Sequence, residues 1–430
     1  MIFIYTLALW FLLPYIFLRL LWRARKQPEY LHHIAERFGF YSIQSNKPVI
    51  WLHAVSVGET RATQSLVNRL CANYPDHQIL LTHTTPTGRA ASEQLYGDSL
   101  LRVYLPYDYP FAVRGFLLRF RPKLGILMET EIWFNLIRSC QISSTPLLLL
   151  NARMSEKSAR GYARFTRLTR NALVNLSAVA AQTVDDAMRL SDLGAISVSV
   201  MGNLKFDIEP PPEMLELGKQ LREQFGLTRK IFLAASTRDG EEELLLDALK
   251  NIHIPDLLLV IVPRHPQRFA VVASMLEQRG ISFQRRSKMA QAGMPLKGSS
   301  QYIQVTSQFQ VVLGDSMGEM FAYYASADLA FIGGSLLPFG GQNLIEACAV
   351  GTPVLVGPHM YNFAEATRLA ISAGAAIMIT DVTDLVTVVQ RLFQNPNTLL
   401  LMRQQCAGFV GSNRGATEKA LQLVKQHLAN

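Results

Sequence analysis

A glutamate at a strand-to-helix turn is the first residue of this chain whose position suggests chemistry. Residues 49–52 are apolar, as in a buried strand, and helical spacing follows from residue 62. Glu59 lies at the join, where open α/β sheets bind their ligands. It also follows Ser56 by three residues, the spacing of a capping box that satisfies the first amides of a helix. These residues alone support a capping role and a chemical role equally.

Three loops in the second half of the chain carry groups that suit a phosphate or a ribose. Residues 262–266 place an arginine and a histidine after one predicted strand, and residues 314–319 follow another. Residues 340–347 begin a short helix whose first N–H groups can bind phosphate. Asn343 is the predicted N-cap of that helix, and Glu346 fits either a capping box or a carboxylate that holds a ribose.

The hydrophobic pattern predicts two sheets that would position these residues. Short apolar runs alternate with helical stretches from residue 49, and the pattern restarts after residue 229. Strands separated by helices predict parallel sheets with right-handed crossovers. The predicted strands are 49–52, 79–82, 124–128, 146–150, 179–182, 231–235, 257–262, 311–313, 329–332 and 353–356. We therefore predict an α/β fold of two doubly wound, Rossmann-like domains with the active site in a cleft between them.

The first 26 residues differ from the rest of the chain. Residues 1–18 contain no charged side chain, and four cationic residues follow between Arg19 and Lys26. An 18-residue helix is about 27 Å long, enough to span or embed in a bilayer. The flanking cations would keep the remainder of the chain in the cytoplasm. Pro14 favours an embedded helix, and a buried core helix is the alternative.

Prolines mark a boundary between the two halves. Residues 208–213 contain three consecutive prolines, which predict a stiff, extended linker. We predict an anchor at residues 1–26, a first domain at 27–207, a linker at 208–214 and a second domain at 215–430. The last helix of the second domain is expected to pack back on the first.

Composition narrows the classes of function. The chain has 430 residues and a formal net charge of +9, which favours anionic partners. Its four cysteines show no C-x-x-C spacing, which argues against disulfides and cysteine zinc sites. The sequence contains no G-x-G-x-x-G at the start of either half, no P-loop and no H-E-x-x-H. A dinucleotide enzyme, a P-loop enzyme and a metal site are therefore not expected.

A run of cations lies between residues 153 and 167. Arg153, Lys157, Arg160, Arg164 and Arg167 recur at spacings of three and four, as on one face of a single helix. Such a face could meet lipid headgroups, or it could be an ordinary solvated surface.

Several short segments together resemble one enzyme family. These segments are residues 37–41 (RFGFY), 53–60 (HAVSVGET), 104–108 (YLPYD), 128–133 (METEIW), 151–153 (NAR), 202–207 (GNLKFD), 262–266 (VPRHP) and 314–319 (GDSMGE). They are similar to segments of the 3-deoxy-D-manno-octulosonic acid (Kdo) transferases, in the same order, over nearly the whole chain. The N-terminal apolar segment matches the anchor of that family.

The resemblance implies a GT-B glycosyltransferase that moves Kdo from CMP-Kdo to a lipid A precursor, lipid IVA. It implies that the first domain binds acceptor and the second binds nucleotide. Glu59 matches the general base, and Glu129 and Lys205 match residues that support the transition state. The residues that match the nucleotide-binding loops are Arg264, His265, Met317, Gly318, Glu319, Asn343, Leu344, Ile345 and Glu346. Some relatives carry His and Pro around the asparagine, where this chain has Gln342 and Leu344.

The resemblance also implies partners and a location. CMP-Kdo is a co-substrate, no metal or other cofactor is expected, and the enzyme would act at the cytoplasmic face of a Gram-negative inner membrane. Single displacement by one base, with no covalent nucleophile, implies inversion. The alternatives are a GT-B transferase that uses another nucleotide sugar, such as a UDP-hexosamine, and a membrane-tethered binding module without turnover. Nucleic acid fits the charge but not the anchor.

Overall fold

Two parallel sheets form the framework of the chain, as the hydrophobic pattern predicts. The structure is a computed structural model and describes residues 1–289 and 309–428. Within these residues, the chain divides into a unit of Met1–Asp207 with Asn413–Asn430 and a unit of Ile208–Ser412. Each unit contains one seven-stranded sheet with helices on both faces, which confirms the predicted α/β class.

In the first unit the sheet order is β3-β2-β1-β4-β5-β6-β7, and all neighbouring strands are parallel. Its strands are β1 Val49–His53, β2 Gln78–His83, β3 Leu101–Tyr104, β4 Pro122–Met128, β5 Leu147–Ala152, β6 Ala178–Ala181 and β7 Val198–Val200. Its helices, before the chain enters the second unit, are α1 Ile2–Ala24, α2 Val57–Ala62, α3 Gln64–Asn73, α4 Pro86–Tyr96, α5 Pro110–Phe120, α6 Phe134–Ile142, α7 Glu156–Ala163, α8 Thr166–Val174 and α9 Val184–Asp192. Short 3₁₀ turns lie at Pro28–Leu31, Ile34–Phe38 and Leu204–Phe206.

In the second unit the order is β10-β11-β9-β8-β12-β13-β14, again with parallel neighbours. Its strands are β8 Lys230–Thr237, β9 Leu257–Pro263, β10 Phe283–Arg285, β11 Val311–Leu313, β12 Leu329–Ile332, β13 Val354–Val356 and β14 Ala376–Met378. Its helices are α10 Pro212–Phe225, α11 Glu241–Leu249, α12 Gln267–Gln278, α13 Arg286–Met289, α14 Met320–Ser326, α15 Ile345–Ala349, α16 Ala364–Ser372, α17 Val382–Gln394 and α18 Pro396–Asn413. A 3₁₀ turn at Tyr361–Phe363 precedes α16, and the last helix of the chain is α19 Ala416–Leu428.

The first sheet is buried on both faces. Along β1, Trp51 belongs to the core on one face, whereas Ile50 and Leu52 belong to the core on the other. This alternation follows from the two-residue period of a strand. Strands covered on both faces need continuous apolar runs, which is why the central strands are visible in the sequence.

Helix α19 returns to the first unit and completes one of these cores. Ala420 and Val424 are buried in the cluster that contains Leu66 and Leu70 of α3. The carboxylate of Asp207 fixes the start of the helix by accepting hydrogen bonds from the backbone N–H groups of residues 415 and 417. Helix α19 therefore belongs to the core of the first unit, although it follows the second unit in sequence.

The prolines form a shorter extended segment than the sequence pattern predicts. Pro212 is the first residue of α10, so residues 212–214 already belong to a helix. Proline is favoured at this position because its missing N–H would have no intrahelical partner and its φ suits a helix. Of the predicted linker, residues 208–214, only residues 208–211 lie outside helical structure.

The prediction of one continuous basic helix between residues 153 and 167 is wrong. Helix α7 ends at Ala163, α8 begins at Thr166, and the backbone of Phe165 between them is non-helical. The break lets Thr169 become buried, and its hydroxyl donates to the carbonyl of Tyr162. Arg160 also has an acidic neighbour, Glu156, at 3.6 Å. The cations thus lie on two helices and a preceding loop.

Helix α1 is long and apolar, and one of its sides packs against the first unit. The Tyr5 hydroxyl donates to Asp108 (2.9 Å), and the Tyr109 hydroxyl donates to the carbonyl of Leu9 (2.6 Å). Near the other end of the helix, Phe17 stacks on Phe38 with ring centroids 5.4 Å apart. The opposite side is exposed and contains Phe3, Phe11, Tyr15, Leu18 and Trp22. By length and composition the helix could cross a membrane. It is not a buried core helix, because Leu20 is the only one of its residues that is buried.

Candidate active site

Glu59 lies in the first turn of α2, just after β1, and two hydrogen bonds hold its carboxylate. The backbone N–H of Val55 donates to Oε2 and the Ser56 hydroxyl donates to Oε1, both at 2.8 Å. The Ser56 oxygen in turn accepts from the N–H of Glu59. Ser56 thus caps the helix, and the Glu59 side chain reaches back to the N–H of the residue before the cap, so the structural role that the sequence suggests is present in a variant of the capping box. A carboxylate fixed in this way also has a defined direction.

The environment of Glu59 makes it a stronger base than an ordinary glutamate. Burial raises the pKa of its carboxyl from 4.5 to about 7, against the lowering effect of the hydrogen bonds from Val55 and Ser56. The carboxylates of Glu129 and Glu131 raise it further because like charges disfavour ionisation. A pKa near 7 is optimal for a general base that works at neutral pH.

Glu129 and Glu131 follow β4, the strand next to β1. Glu129 adopts a left-handed backbone conformation (φ 59°), which is uncommon for a residue with a side chain. Its N–H still pairs with the carbonyl of Leu150, and its carbonyl accepts from the N–H of Arg153. The strand end is therefore held while the chain turns sharply. Strained backbone of this kind is often found at functional sites.

Glu131 and His53 are two residues of this strand edge that the sequence interpretation did not select. The Trp133 indole donates to the carboxylate of Glu131, and Nε2 of His53 lies 3.9 Å from the same oxygen. Burial and the neighbouring His83 lower the pKa of His53 to about 3, so its ring is neutral. Burial also raises the pKa of Glu131. The second glutamate of the METEIW segment was the available signal for this carboxylate.

A chain of amide side chains positions Lys205. Asn151 Oδ1 accepts from the N–H of Leu204 at 3.1 Å, and Asn203 Oδ1 accepts from the N–H of Lys205 at 3.0 Å. Gln182 links the two asparagines, because it donates to the carbonyl of Asn151 and accepts from Asn203. These contacts explain why asparagine occurs in both the NAR and the GNLKFD segments. They fix the short turn that carries the lysine.

In the second unit, Arg264 and His265 follow β9 at the carboxyl edge of the sheet. The N–H of Arg264 donates to the carbonyl of Thr237, at the end of the neighbouring strand β8 (3.0 Å). Burial, with Arg238 and Arg264 nearby, lowers the pKa of His265. The imidazole therefore lies in a cationic environment, as expected where an anion binds.

The loop from residue 314 to residue 319 is anchored by its glutamate. The guanidinium of Arg286 donates two hydrogen bonds to Glu319, at 3.1 and 3.2 Å, and Ser316 donates a third at 2.7 Å. The carboxylate of Glu319 is therefore engaged within the protein. Met317 and Gly318 are exposed, and Gly318 has positive φ, so this part of the loop is open to solvent.

Asn343 and Glu346 lie together at the start of α15. Asn343 Oδ1 accepts from the N–H of Ile345 (3.0 Å), and Asn343 Nδ2 donates to Glu346 Oε1 (3.1 Å). Asn343 thus caps the helix although Leu344 occupies the N-cap position. Leu344 and Ile345 are buried, so they support the turn rather than face solvent. Burial raises the pKa of the Tyr324 phenol, Glu346 raises it further and Arg264 lowers it, so both charged groups lie within electrostatic range of the same phenol.

Candidate metal ligands do not cluster in the part of the chain that the structure describes. No three His, Cys, Asp or Glu side chains there come close enough to hold a metal ion. That the reaction needs no metal remains a prediction.

Comparison with known proteins shows which family the chain belongs to. A family model described as 3-deoxy-D-manno-octulosonic-acid transferase (kdotransferase) matches residues 32–208. The chain is 39% identical to the 3-deoxy-D-manno-octulosonic acid transferase of Bordetella pertussis, over 99% of both chains. It is 36% identical to that of Haemophilus influenzae, over 94% of this chain and 93% of the relative. The chain belongs to the Kdo transferase family.

The fold of this Kdo transferase family member is the GT-B type. A glycosyltransferase from Rickettsia africae ESF-5 has a similar structure, with a TM-score of 0.57 over 90% of this chain and all of that one. Its sequence identity is 14%, so the likeness concerns the fold alone. The two parallel sheets and the glycosyltransferase fold that the sequence predicts are confirmed.

We expect Glu59→Gln to separate the capping role from the chemical role. Glutamine keeps much of the capping geometry but cannot take a proton, so turnover should fall roughly 10²–10⁴-fold in a protein that still folds. The matched control is Asp186→Asn, because Asp186 and Thr183 form the equivalent cap at the start of α9 in the same unit. The control should lose stability but retain turnover. Near-normal turnover of Glu59→Gln would show that Glu59 only caps the helix.

The raised pKa of Glu59 also predicts a pH dependence. The base is protonated below its pKa, so kcat/KM of the wild type should rise with pH up to about 7 and then level off. Since the folded state raises this pKa, the group stabilises the fold below about pH 4.5, and that contribution is lost as pH rises through 7. Glu59→Gln should not show this loss. A flat kcat/KM between pH 5 and 8 would argue against Glu59 as the base.

A third prediction concerns the role of Glu346 in nucleotide binding. If its carboxylate holds the ribose, Glu346→Ala should reduce or abolish the thermal shift that CMP produces and change the melting temperature little without ligand. The control is Asp384→Ala at the start of α17, where Asp384 accepts from the N–H of Thr380. Loss of this cap should lower stability by roughly 0.5–2 kcal/mol without affecting CMP. Calorimetry with CMP and UMP completes the test, since unchanged CMP binding by Glu346→Ala would refute the ribose role.

Proposed function

We propose that this chain is an inverting glycosyltransferase that moves Kdo from CMP-Kdo to a lipid A precursor, lipid IVA. Membership of the Kdo transferase family supports the sugar that is moved. The observation that carries the mechanism is the carboxylate of Glu59, which is held in one direction and has a pKa near 7. The proposal combines this base with a nucleotide site in the second unit.

Proton transfer and displacement can be assigned to this chain's own residues. The acceptor hydroxyl gives its proton to Glu59 as its oxygen attacks the anomeric carbon of Kdo, and the bond to the CMP oxygen breaks. One displacement by an external oxygen inverts the configuration. Lys205 and Glu129 support the charge that develops during the transfer, and Arg264 with His265 stabilises the departing phosphate.

Nucleotide binding is assigned to the loops at the carboxyl edge of the second sheet. Asn343 and Glu346 form a hydrogen-bonded pair near Arg264, so a ribose and a phosphate can be bound side by side. Met317 and Gly318 add exposed backbone from the neighbouring strand end. The site contains cations and amides, which can neutralise a leaving phosphate without a metal.

The contacts of helix α1 support membrane attachment in which the helix lies in the interface rather than crossing the bilayer. Its contacts with the first unit run at least from Tyr5 to Phe17, more than half of the helix. A helix that crossed the bilayer would take these contacts, including the buried Asp108, into the hydrocarbon. We therefore place α1 in the membrane interface, with its apolar outer side in lipid and the catalytic unit at the surface. The cytoplasmic face of a Gram-negative inner membrane is the corresponding location.

The product of one reaction tests the proposed function. Purified protein is incubated with CMP-Kdo and lipid IVA, and the lipid is analysed by mass spectrometry. We expect a mass increase of one or more Kdo residues, with release of CMP and inhibition by CMP rather than by UMP. Transfer from a UDP-hexosamine, or competition by UMP, would instead support the alternative GT-B transferase. Binding without any product would support a binding module.

The exposed side of α1 provides a test of the attachment. Phe3 and Phe11 have exposed fractions of 75% and 78%, and we expect Phe3→Ser together with Phe11→Ser to move the protein from the membrane to the soluble fraction. The melting temperature should change little, since neither side chain is packed. The control is Leu400→Ser with Leu401→Ser, two exposed apolar residues of the second unit. Undiminished membrane association of the α1 variant would contradict the proposed attachment.

A further inference from the structure

Arg238 is a cation at the carboxyl edge of the second sheet, and the candidate site described above gives it no role. It directly follows β8, the central strand, and its guanidinium lies 4.8 Å from the centroid of the Phe339 ring. Its side chain also lies against Gly334, where an added Cβ would contact the Arg238 Cγ at 3.4 Å. Stacking on an aromatic ring fixes the guanidinium plane while leaving its N–H edge available.

The carboxylates near Arg238 in sequence are all engaged elsewhere. Asp239 and Glu242 both pair with Arg268, at 2.5 and 3.0 Å. Glu241 accepts hydrogen bonds from backbone N–H groups, including those of Arg238 and Gly334. Within the part of the chain that the structure describes, no hydrogen bond or ion pair joins the Arg238 guanidinium to another side chain. A half-buried arginine that is unpaired beside three carboxylates is suited to an anion from outside the chain.

Arg238 also lies beside the predicted phosphate site. Its strand β8 is the direct neighbour of β9, which ends before Arg264 and His265. The N–H of Arg264 donates to the carbonyl of Thr237, the residue before Arg238, so the two arginines leave the sheet next to each other. The edge thus presents two neighbouring cationic positions rather than one. A ligand that fills both must carry two anionic groups close together.

An activated ulosonic acid has this arrangement of charge. In such a sugar the anomeric carbon bears a carboxylate where an ordinary aldose has hydrogen. When the sugar is linked to a nucleotide, the phosphate oxygen is bonded to that same carbon. The carboxylate and the phosphate are therefore next to each other in the donor. Released CMP retains the phosphate but not the carboxylate.

We propose that Arg238 binds the carboxylate on the anomeric carbon of the donor sugar, while Arg264 and His265 face the phosphate. This inference rests on the proposed function, since it names the part of CMP-Kdo that Arg238 recognises. A guanidinium suits the task because its planar edge can donate two parallel hydrogen bonds to a carboxylate. The stack on Phe339 holds that edge in place before the donor arrives.

The proposal gives the donor site a means of selecting ulosonic acids. A nucleotide-linked aldose would leave Arg238 without its anion in a half-buried position, and that loss disfavours binding. Arg238 would thereby discriminate on the sugar, whereas the Asn343 and Glu346 loop would contact the nucleotide.

Arg238→Met tests the proposal, because methionine retains apolar volume but removes the charge and the donors. We expect KM for CMP-Kdo to rise roughly 10- to 100-fold, with CMP affinity by calorimetry within about threefold of the wild type. Arg238→Lys retains the charge without the paired donors and should give an intermediate KM. The melting temperature without ligand should be unchanged in both variants. Arg279→Met, which removes a peripheral arginine that pairs with Asp247, should leave KM unaltered.

The other outcomes would overturn the assignment. Equal losses of CMP affinity and of CMP-Kdo affinity would make Arg238 a phosphate ligand or a support of the loop. An unchanged KM would remove it from donor binding altogether. If Arg238→Met does not fold, Arg238→Lys and Arg238→Gln answer the same question through the ratio of KM to CMP affinity. If the wild type neither binds CMP nor transfers Kdo, the proposed function itself is refuted. Loss of activity in an Arg238 variant alone does not refute that function.

Discussion

Sharp turns directly after parallel strands are the constraint on which both candidate sites depend. Glu129, Asn151 and Ser236 each adopt positive φ at or just after a strand end, a conformation that non-glycine residues rarely adopt. Such a backbone costs on the order of 1–3 kcal/mol and needs surrounding contacts to hold it. At Asn151 these contacts are visible, because its side chain accepts from the N–H of Leu204 in the turn that carries Lys205, and its carbonyl accepts from Gln182. These strained turns thus place side chains from several strands at the carboxyl edge of each sheet.

Carboxylates near these turns serve as structural clamps as well as chemical groups. Glu241 is completely buried and accepts N–H groups from its own loop and from the loop that begins at Gly334. Glu319 is held by Arg286, and Glu59 by Val55 and Ser56. The two glutamates differ in their surroundings. Glu319 is opposite the guanidinium of Arg286, whereas burial raises the pKa of Glu59, and the carboxylates of Glu129 and Glu131 raise it further.

The sequence predicted the interior of both sheets and failed at their margins. All the central strands were found, because burial on both faces requires continuous apolar residues. The four strands that were missed, β3, β7, β10 and β14, are the edges of the two sheets. Their residues are partly exposed, three of these strands contain a polar residue, and the apolar β14 is only three residues long, so no continuous apolar run marks them. Glu131 and Arg238 escaped notice for a related reason: their significance comes from neighbours on other strands. The resemblance to a family supplied Lys205, which local sequence alone would have described as a surface cation.

The C-terminal helix has a consequence for how the protein is made. Residues of α3 such as Leu66 and Leu70 are covered by α19, which is synthesised after the whole second unit. Until α19 has been made, that apolar surface lacks the helix that covers it, although the strands of its sheet were made first. The second unit is continuous in sequence and can complete its core earlier. Domains usually mature in the order of translation, but here the N-terminal one must wait, and during that interval it is exposed to aggregation and to chaperones.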